Sequence, residues 1–319
     1  MIIRFIKLIA LFLFPLLLLF AGMEYCLSKV ENIQSIKRKM LDQKAGALQV
    51  LIVGSSHAYY SLNPTLFDKP SMNAASPWQT LYYDTKIVLN NLSHLKKLRL
   101  VILSVDYFSL FMDFKYYDYD PAYPYRYYHF WEIDNPSVSK LNIRRYSLLS
   151  LYQPASLREI FLEMAAKKTP NIRFNVTDMN NDGFAWLNCP ADTIGFENSA
   201  RMTIGAWTTT RMSLKNFAGN CSYVETLLQV LQQKNIKVLI ISTPVIKNIY
   251  EKYDSTYSHL KLNFLQYIKV RYSNTVITDF SQDPRFVMKD FNDPHHLDSI
   301  GATKFSKIIN DEYINQMIH

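Results

Sequence analysis

The stretch Leu48-Gln49-Val50-Leu51-Ile52-Val53-Gly54-Ser55-Ser56-His57 decides the fold predicted for this chain of 319 residues. Its first six residues form a short, mostly apolar run that stops at a glycine. Such a run is typical of a strand buried in a parallel sheet. The glycine permits a tight turn, after which the serines can present a hydroxyl at the start of a helix. Because ligands of open α/β sheets bind at the carboxyl ends of the strands, this turn is a candidate site.

Strand-like and helix-like segments alternate on both sides of an irregular middle region. Apolar runs predict further strands at residues 71–73, 98–105, 237–242 and 275–279, and helical spacing predicts helices at 78–97, 154–168, 222–234, 256–272 and 299–317. This alternation predicts an α/β domain, residues 48–319, in which helices cover both faces of a parallel sheet. The alternation is interrupted at about residues 107–220, which we interpret as a large, aromatic-rich insert.

The N-terminus carries an apolar segment. Arg4 and Lys7 precede an uncharged run that continues to Met23, and residues 1–27 together are long enough to cross a bilayer. No small-x-small cleavage site follows, so a retained transmembrane signal anchor is favoured over a cleaved signal peptide. The short tail predicts a cytoplasmic N-terminus and a single-pass protein of the cell membrane, with its domain on the periplasmic or extracellular side. Residues 28–47 are predicted to form a polar helical stalk.

Charge and cysteine content narrow the possible partners. The net charge is +8, but no long run of Lys or Arg concentrates it. This argues against a nucleic-acid partner and suits either an anionic lipid or glycan or an ordinary basic surface. The three cysteines include no CxxC, and the histidines are not clustered in the sequence, so we predict no metal site and no cofactor. Cys189 and Cys221 could pair in an oxidising compartment or remain two buried thiols.

A second candidate motif, Asp293-Pro294-His295-His296-Leu297-Asp298-Ser299-Ile300-Gly301-Ala302, precedes the last predicted helix. A serine hydroxyl needs a base to take its proton, and that base needs a carboxylate to orient it. An Asp three residues before a His can supply both groups from one loop. Each motif alone has an ordinary explanation, because Ser, Asp and His often cap helices.

Together the two motifs resemble the SGNH/GDSL hydrolase superfamily. In that family the serine follows the first strand in a Gly-Asp-Ser block, and an Asp-x-x-His block precedes the last helix. The resemblance covers about residues 48–106 and 236–317 and implies a three-layer α/β/α, flavodoxin-like sheet. By position it assigns Ser56 as nucleophile, His296 as base and Asp293 as acid.

The resemblance also indicates where an oxyanion would bind. The family's second block normally supplies a glycine N–H, but the corresponding segment here is Asn73-Ala74-Ala75-Ser76. Ala75 or Ser76 would therefore donate, with Asn73 as a further candidate. The third block normally offers an Asn side chain, and here Asp106 follows the strand, although a carboxylate cannot donate.

Two further histidines lie beside the matched residues. His57 follows the nucleophile directly, so its side chain is expected to point toward the substrate or the core. His295 is only two residues from Asp293 and competes with His296 as the base. We rank His296 first because of its three-residue offset and the leucine that follows it.

The resemblance implies a membrane-tethered serine esterase or O-acyltransferase that adds or removes O-acyl groups, such as acetyl, on a cell-surface polysaccharide. Ser55 replaces the usual Asp of the first block, as in membrane-associated relatives that act on cell-envelope polymers. A multi-spanning membrane acyltransferase is an implied partner. The alternatives are a lipid or small-ester hydrolase, and a non-catalytic glycan-binding or scaffold subunit of an envelope complex.

The tyrosine-rich part of the insert suggests a binding surface. Tyr and Trp rings stack on sugars and offer a hydroxyl or N–H at their edge. One hypothesis is that these side chains line a glycan groove near Ser56, and the other is that they fill a second layer of the core. The residues concerned are Tyr116, Tyr117, Tyr125, Tyr127, Tyr128 and Trp131.

Overall fold

The computed structural model describes residues 2–112, 120–176, 179–188, 195–207 and 211–318. The chain divides into two compact units. Unit 1 consists of residues 1–36 and 115–176, and unit 2 of residues 37–114 and 177–319. Residues of the predicted insert, at about 107–220, thus occur in both units.

Unit 2 contains a five-stranded parallel sheet. Its strands are β1 (Val50–Val53), β2 (Ser71–Asn73), β3 (Leu100–Ser104), β4 (Lys237–Ser242) and β5 (Thr275–Asp279), in the order β2-β1-β3-β4-β5. Every residue of β1 and β3 is buried, as expected for central strands covered on both faces. This is the strand order of flavodoxin-like doubly wound folds. The predicted α/β class with a parallel sheet is confirmed.

The described helices agree with the predicted alternation, with shifts at their ends. In chain order they are α1 (Ile2–Leu27), α2 (Ile33–Lys44), α3 (Ser56–Ser61), α4 (Leu81–Asn91), α5 (Tyr123–Trp131), α6 (Pro154–Lys167), α7 (Phe196–Ala206), α8 (Phe217–Gln233), α9 (Lys247–Tyr250), α10 (Ser255–Arg271), α11 (Ser299–Ile309) and α12 (Asn315–Met317). The helix predicted at 78–97 begins later because Trp78 has a left-handed φ of 65°. The last predicted helix is α11, a π-helical turn at Asn310–Ile314, and α12.

Helix α1 is the one helix among the described residues that is long and apolar enough to cross a membrane. Its best window has a mean hydropathy of 2.5, and none of that window is buried. A membrane anchor and a signal sequence share these properties.

The C-terminal end of α1 packs within unit 1. The Glu24 carboxylate accepts hydrogen bonds from the Ser147 hydroxyl and from the N–H groups of Leu148 (2.9 Å) and Leu149 (3.1 Å). Just after Glu24, Leu27 and Val30 pack into an apolar cluster with residues that follow much later in the chain. Its buried members are Leu27, Val30, Ile160, Met164 and Ile172. Residues of the predicted insert therefore hold the end of the apolar helix.

Residues 28–47, predicted to be a polar stalk, include α2. Its residues Lys37, Met40 and Leu41 share one helix face at i, i+3 and i+4, and all three are buried. The Lys37 Nζ donates to the Asn73 carbonyl at 2.9 Å and to the Ala75 carbonyl. This half of the segment is thus packed into unit 2, unlike a solvated stalk.

Aromatic residues of the predicted groove lie inside unit 1. Tyr125, Tyr127 and Trp131 are no more than 4% exposed. Gln34 links two of them, since it accepts from Trp131 Nε1 at 2.7 Å and donates to the Tyr127 hydroxyl at 3.1 Å. Tyr125, Tyr127 and Trp131 therefore fit the second hypothesis, in which the rings fill a core. Of the remaining rings, Tyr128 is half-buried, and Tyr116 and Tyr117 lie outside the described residues.

Candidate active site

The turn after β1 requires a glycine. Gly54 has φ of 148°, and a Cβ atom there would lie 2.7 Å from the Ser104 Cβ and 3.1 Å from the Ala58 Cβ. Without a side chain at Gly54, the backbone passes close to Ser104 of β3 and turns from β1 directly into α3. Ser55 caps that helix by accepting from the His57 N–H at 3.3 Å. Ser56 is the first residue of α3 and remains partly exposed.

A small hairpin presents the second motif. Strands β6 (Phe291–Asp293) and β7 (His296–Leu297) pair antiparallel. The Asp293 Oδ1 accepts from the N–H groups of His295 and His296, both at 2.9 Å, which fixes the turn between the strands. Asp298 then caps α11 by accepting from the Ile300 and Gly301 N–H groups. The carboxylate and the imidazole are thus held by a loop tied at both ends.

The fold brings Ser56, His296 and Asp293 into one hydrogen-bonded line. Ser56 Oγ lies 2.9 Å from His296 Nε2, and His296 Nδ1 lies 2.8 Å from Asp293 Oδ2. An ionised carboxylate only accepts, so Nδ1 carries the proton and Nε2 is left to accept from the serine hydroxyl. This is the geometry of a Ser–His–Asp relay.

The protonation states suit that relay. Burial acts to raise the pKa of Asp293, but the hydrogen bond and charge of His296 outweigh it and hold that pKa below 3.8. Burial lowers the pKa of His296 below 6.5, although Asp293 acts to raise it. At neutral pH the base is therefore neutral and the acid is ionised. His295, the rival base, has its Nδ1 3.1 Å from Asp293 Oδ1, outside hydrogen-bonding geometry.

A second histidine and carboxylate lie behind the relay. Asp106 is buried after β3, and its Oδ1 accepts from the Thr243 N–H and hydroxyl, both at 2.9 Å. His57 Nδ1 lies 2.9 Å from Thr243 Oγ1 and 3.5 Å from Asp106 Oδ1. Burial acts to raise the pKa of Asp106, but the charge of His57 and the hydrogen bonds outweigh it and lower that pKa. Asp106 therefore supports His57 and does not face the cleft as an oxyanion residue.

The other predicted oxyanion donors are engaged within the protein. The Ala75 N–H donates to Asn73 Oδ1 at 2.9 Å, and the Ser76 N–H donates to the Gly54 carbonyl at 3.1 Å. The Asn73 side-chain amide donates to two backbone carbonyls of the α3 segment at 2.9 and 2.8 Å. In this structure these two N–H groups and the Asn73 amide therefore make hydrogen bonds that shape the loop after β2.

An apolar cleft of about 600 Å³, open mouth included, lies beside Ser56. The apolar walls of this cleft belong to none of the motifs found in the sequence. Trp78 lies two residues after the Asn73–Ser76 segment, and this position in the sequence could have marked it. Trp207 lies far along the chain, and no local signal pointed to it. The apolar side chains of the walls are Trp78, Leu81, Phe108, Met112 and Trp207.

A buried carboxyl group also lines this cleft. Asp84 accepts from Gln79 Nε2 at 2.7 Å and from the Gly54 N–H. Burial raises the pKa of Asp84 to about 7, against the lowering effect of those hydrogen bonds. The residue joins α4 to the turn that carries the serine.

Comparisons with known proteins do not assign the chain to a family. No curated protein matches the chain. A protein-family model that carries no descriptive name matches residues 210–318, less than half of the chain. A solved structure of a protein described as a candidate platelet activating factor from Streptococcus pneumonia is similar over 95% of this chain and 98% of its own, with 11% identity and a TM-score of 0.42. Of the two cysteines whose pairing the sequence left open, Cys189 lies outside the described residues, and Cys221 is buried.

Proposed function

We propose that the chain is a serine esterase or O-acyltransferase that forms an acyl-enzyme on Ser56. The hydrogen-bonded line from Ser56 through His296 to Asp293 is the observation that carries this proposal. His296 Nε2 takes the hydroxyl proton as Ser56 Oγ attacks the acyl carbonyl, and Asp293 stabilises the imidazolium. The Ser56 N–H, at the start of α3, donates to the oxyanion. The tetrahedral intermediate then expels the alcohol, which receives its proton from His296.

In the second half-reaction an acceptor removes the acyl group. Water gives hydrolysis, and a sugar hydroxyl gives transfer, with His296 again taking and returning the proton. We propose O-acyl groups of a cell-surface polysaccharide as the substrate and a multi-spanning membrane acyltransferase as a partner. We also propose that α1 is retained as an anchor with unit 2 on the extracytoplasmic side. The contacts of Glu24 within unit 1 support retention, because removing α1 would take away the acceptor of three hydrogen bonds.

A lipid or small-ester hydrolase is the second candidate, and the cleft favours it. Two tryptophans, a phenylalanine, a methionine and a leucine face the space beside Ser56. An acetyl group would use little of that surface. Each further methylene of an acyl chain buried there would contribute about 0.8 kcal/mol.

The test is to incubate the full-length chain, in detergent micelles, with p-nitrophenyl esters from acetyl to octanoyl. Chromophore release would be followed, together with the mass of the acylated peptide that contains Ser56. We expect acyl-Ser56, and a loss of turnover of at least about 10³-fold in Ser56→Ala and in His296→Ala. The exposed residues Ser222 and His259 provide matched controls, Ser222→Ala and His259→Ala.

The outcomes separate the candidates. A preference for acetyl esters favours the polysaccharide substrate, and turnover that rises with chain length favours the lipid or small-ester substrate. Turnover that survives in Ser56→Ala would contradict both. If the chain forms no acyl-Ser56 and turns over none of these esters, the result favours the non-catalytic glycan-binding or scaffold subunit.

A further inference from the structure

His57 lies close to the adjacent pair His295 and His296, beside Ser56. His57, His295 and His296 each offer one ring nitrogen, and these three atoms lie within 4.8 Å of one another. The ring centroids of His57 are 5.4 Å from His295 and 5.2 Å from His296. The prediction of no metal site depended on the scattering of histidines along the sequence. The fold brings His57 to the pair His295 and His296, which the sequence alone did not show.

Two of the ring nitrogens have no hydrogen-bond partner among the described residues. They are His57 Nε2 and His295 Nδ1, and both atoms are buried. A buried imidazole nitrogen without a partner is costly, because it loses its bond to water and gains none in the protein. Each nitrogen is therefore a ready ligand for a group that can enter the cleft, which both side chains line.

The opposite sides of two of these rings are already held. His57 Nδ1 contacts Thr243 Oγ1 and, beyond it, Asp106, and His296 Nδ1 contacts Asp293. Histidines that bind metals in proteins commonly donate their second N–H to a carboxylate, either directly or through another group. In both rings that contact fixes the proton on Nδ1 and leaves the Nε2 lone pair free to coordinate.

We propose that His57, His295 and His296 bind a divalent transition-metal ion such as Zn²⁺, and that the bound ion blocks the serine reaction. Zn–N bonds are about 2.0–2.1 Å long, so the three nitrogens would need to be about 3.4 Å apart in a tetrahedral site. The proposal therefore requires small rotations of the His295 and His296 rings, which are partly exposed. Water or Ser56 Oγ takes the fourth position.

The two uses of His296 exclude each other. The ion binds the Nε2 lone pair that otherwise accepts the Ser56 proton at 2.9 Å. Metal binding itself does not depend on the proposed esterase activity, whereas inhibition does. The two parts of the proposal can therefore be tested separately.

The first test uses the full-length chain, purified without a histidine tag, in detergent micelles and stripped with EDTA. Co²⁺ is titrated while the visible absorption is recorded, because Co²⁺ in a tetrahedral histidine site absorbs strongly. We expect saturation at one Co²⁺ per chain, displacement by Zn²⁺, and loss of the absorption in His57→Gln and in His295→Gln. The variant His259→Gln, at an exposed position, should keep it. Asp106→Asn should weaken Co²⁺ binding by about 10–100-fold.

The second test separates the site from the activity. Ser56→Ala should lose ester turnover and keep the Co²⁺ absorption, and Zn²⁺ should stop turnover of the unaltered chain until EDTA restores it. The proposal is overturned if no saturable Co²⁺ absorption appears, or if His295→Gln absorbs like the unaltered chain. Circular dichroism checks the fold of each variant. If His57→Gln does not fold, His295→Gln decides, because that side chain is partly exposed.

Discussion

Asp84 is a carboxyl group buried against the turn that carries Ser56. It accepts from Gln79 and from the Gly54 N–H, and burial raises its pKa to about 7. An acid whose pKa is higher in the folded state binds its proton more tightly there than in the unfolded chain. Its contribution to the free energy of unfolding is therefore complete below the unfolded pKa of 3.8 and is lost as the pH rises through about 7.

Asp84→Asn should remove that pH dependence, because the amide stays neutral at every pH. Between pH 4 and pH 8 the unaltered chain should lose up to about 4 kcal/mol of stability that the variant does not lose. Urea denaturation midpoints at a series of pH values would measure the difference. The exposed carboxylate of Asp311 gives the control Asp311→Asn. Parallel pH profiles for the Asp84 variant and the unaltered chain would contradict the expectation.

At the same scale, the sequence pointed to the three residues of the hydrogen-bonded line but not to the N–H groups that would bind an oxyanion. Ser56, Asp293 and His296 could be found because a strand end and a helix start fix where they lie. The hydrogen-bond partner of the Ala75 N–H could not be predicted in this way. It depends on the rotamer of Asn73, whose side-chain oxygen accepts that hydrogen bond from two residues away. Trp207 reaches the cleft only through the tertiary fold.

Among the secondary-structure elements, α2 is tied to the loop after β2 by one lysine. The Lys37 ammonium donates to the Asn73 and Ala75 carbonyls and lies 4.3 Å from the centroid of the Tyr59 ring. Burial lowers the pKa of Lys37 well below its usual value. Lys37 lies in the segment 28–47 that was predicted to be a polar stalk, and nothing in the sequence marks it as buried, because lysines are almost never fully buried. Only the carbonyls that receive it explain its position.

Lys37→Met should destabilise the protein by about 1–3 kcal/mol, because two buried carbonyls lose their donor while the chain length of the side chain is kept. Thermal unfolding in detergent would show a lower midpoint. Lys39→Met changes an exposed lysine of the same helix and should have little effect. A midpoint that rises in the Lys37 variant would show that relief of the buried charge outweighs the lost hydrogen bonds.

For the whole molecule, the end of α1 and the described residues 120–176 belong to one unit. Glu24→Ala should increase proteolytic cleavage near Leu148, because the Leu148 and Leu149 N–H groups and the Ser147 hydroxyl lose their acceptor. Limited proteolysis of the full chain in micelles, read by mass spectrometry, would measure the effect. Glu159→Ala, an exposed position on α6, is the control. Equal cleavage in the two variants would contradict this account, and the intact mass would show whether α1 is retained.

The division into units is the part of the architecture that the sequence did not predict. The break in alternation after β3 was visible, but it was assigned to one insert spanning residues 107–220. Residues 120–176 instead belong with α1, and the described residues from 179 onward belong with the sheet. The partners Leu27 and Ile160 are far apart in sequence, and such contacts leave no local pattern.

The order in which the chain is synthesised matters for the proposed chemistry. Ser56 and His296 are 240 positions apart, so the serine leaves the ribosome long before its base. A nascent or truncated chain that ends before β7 carries an unactivated hydroxyl, since nothing else takes its proton in the relay. On the proposed mechanism, a chain that has not yet reached β7 therefore cannot form an acyl-enzyme on Ser56.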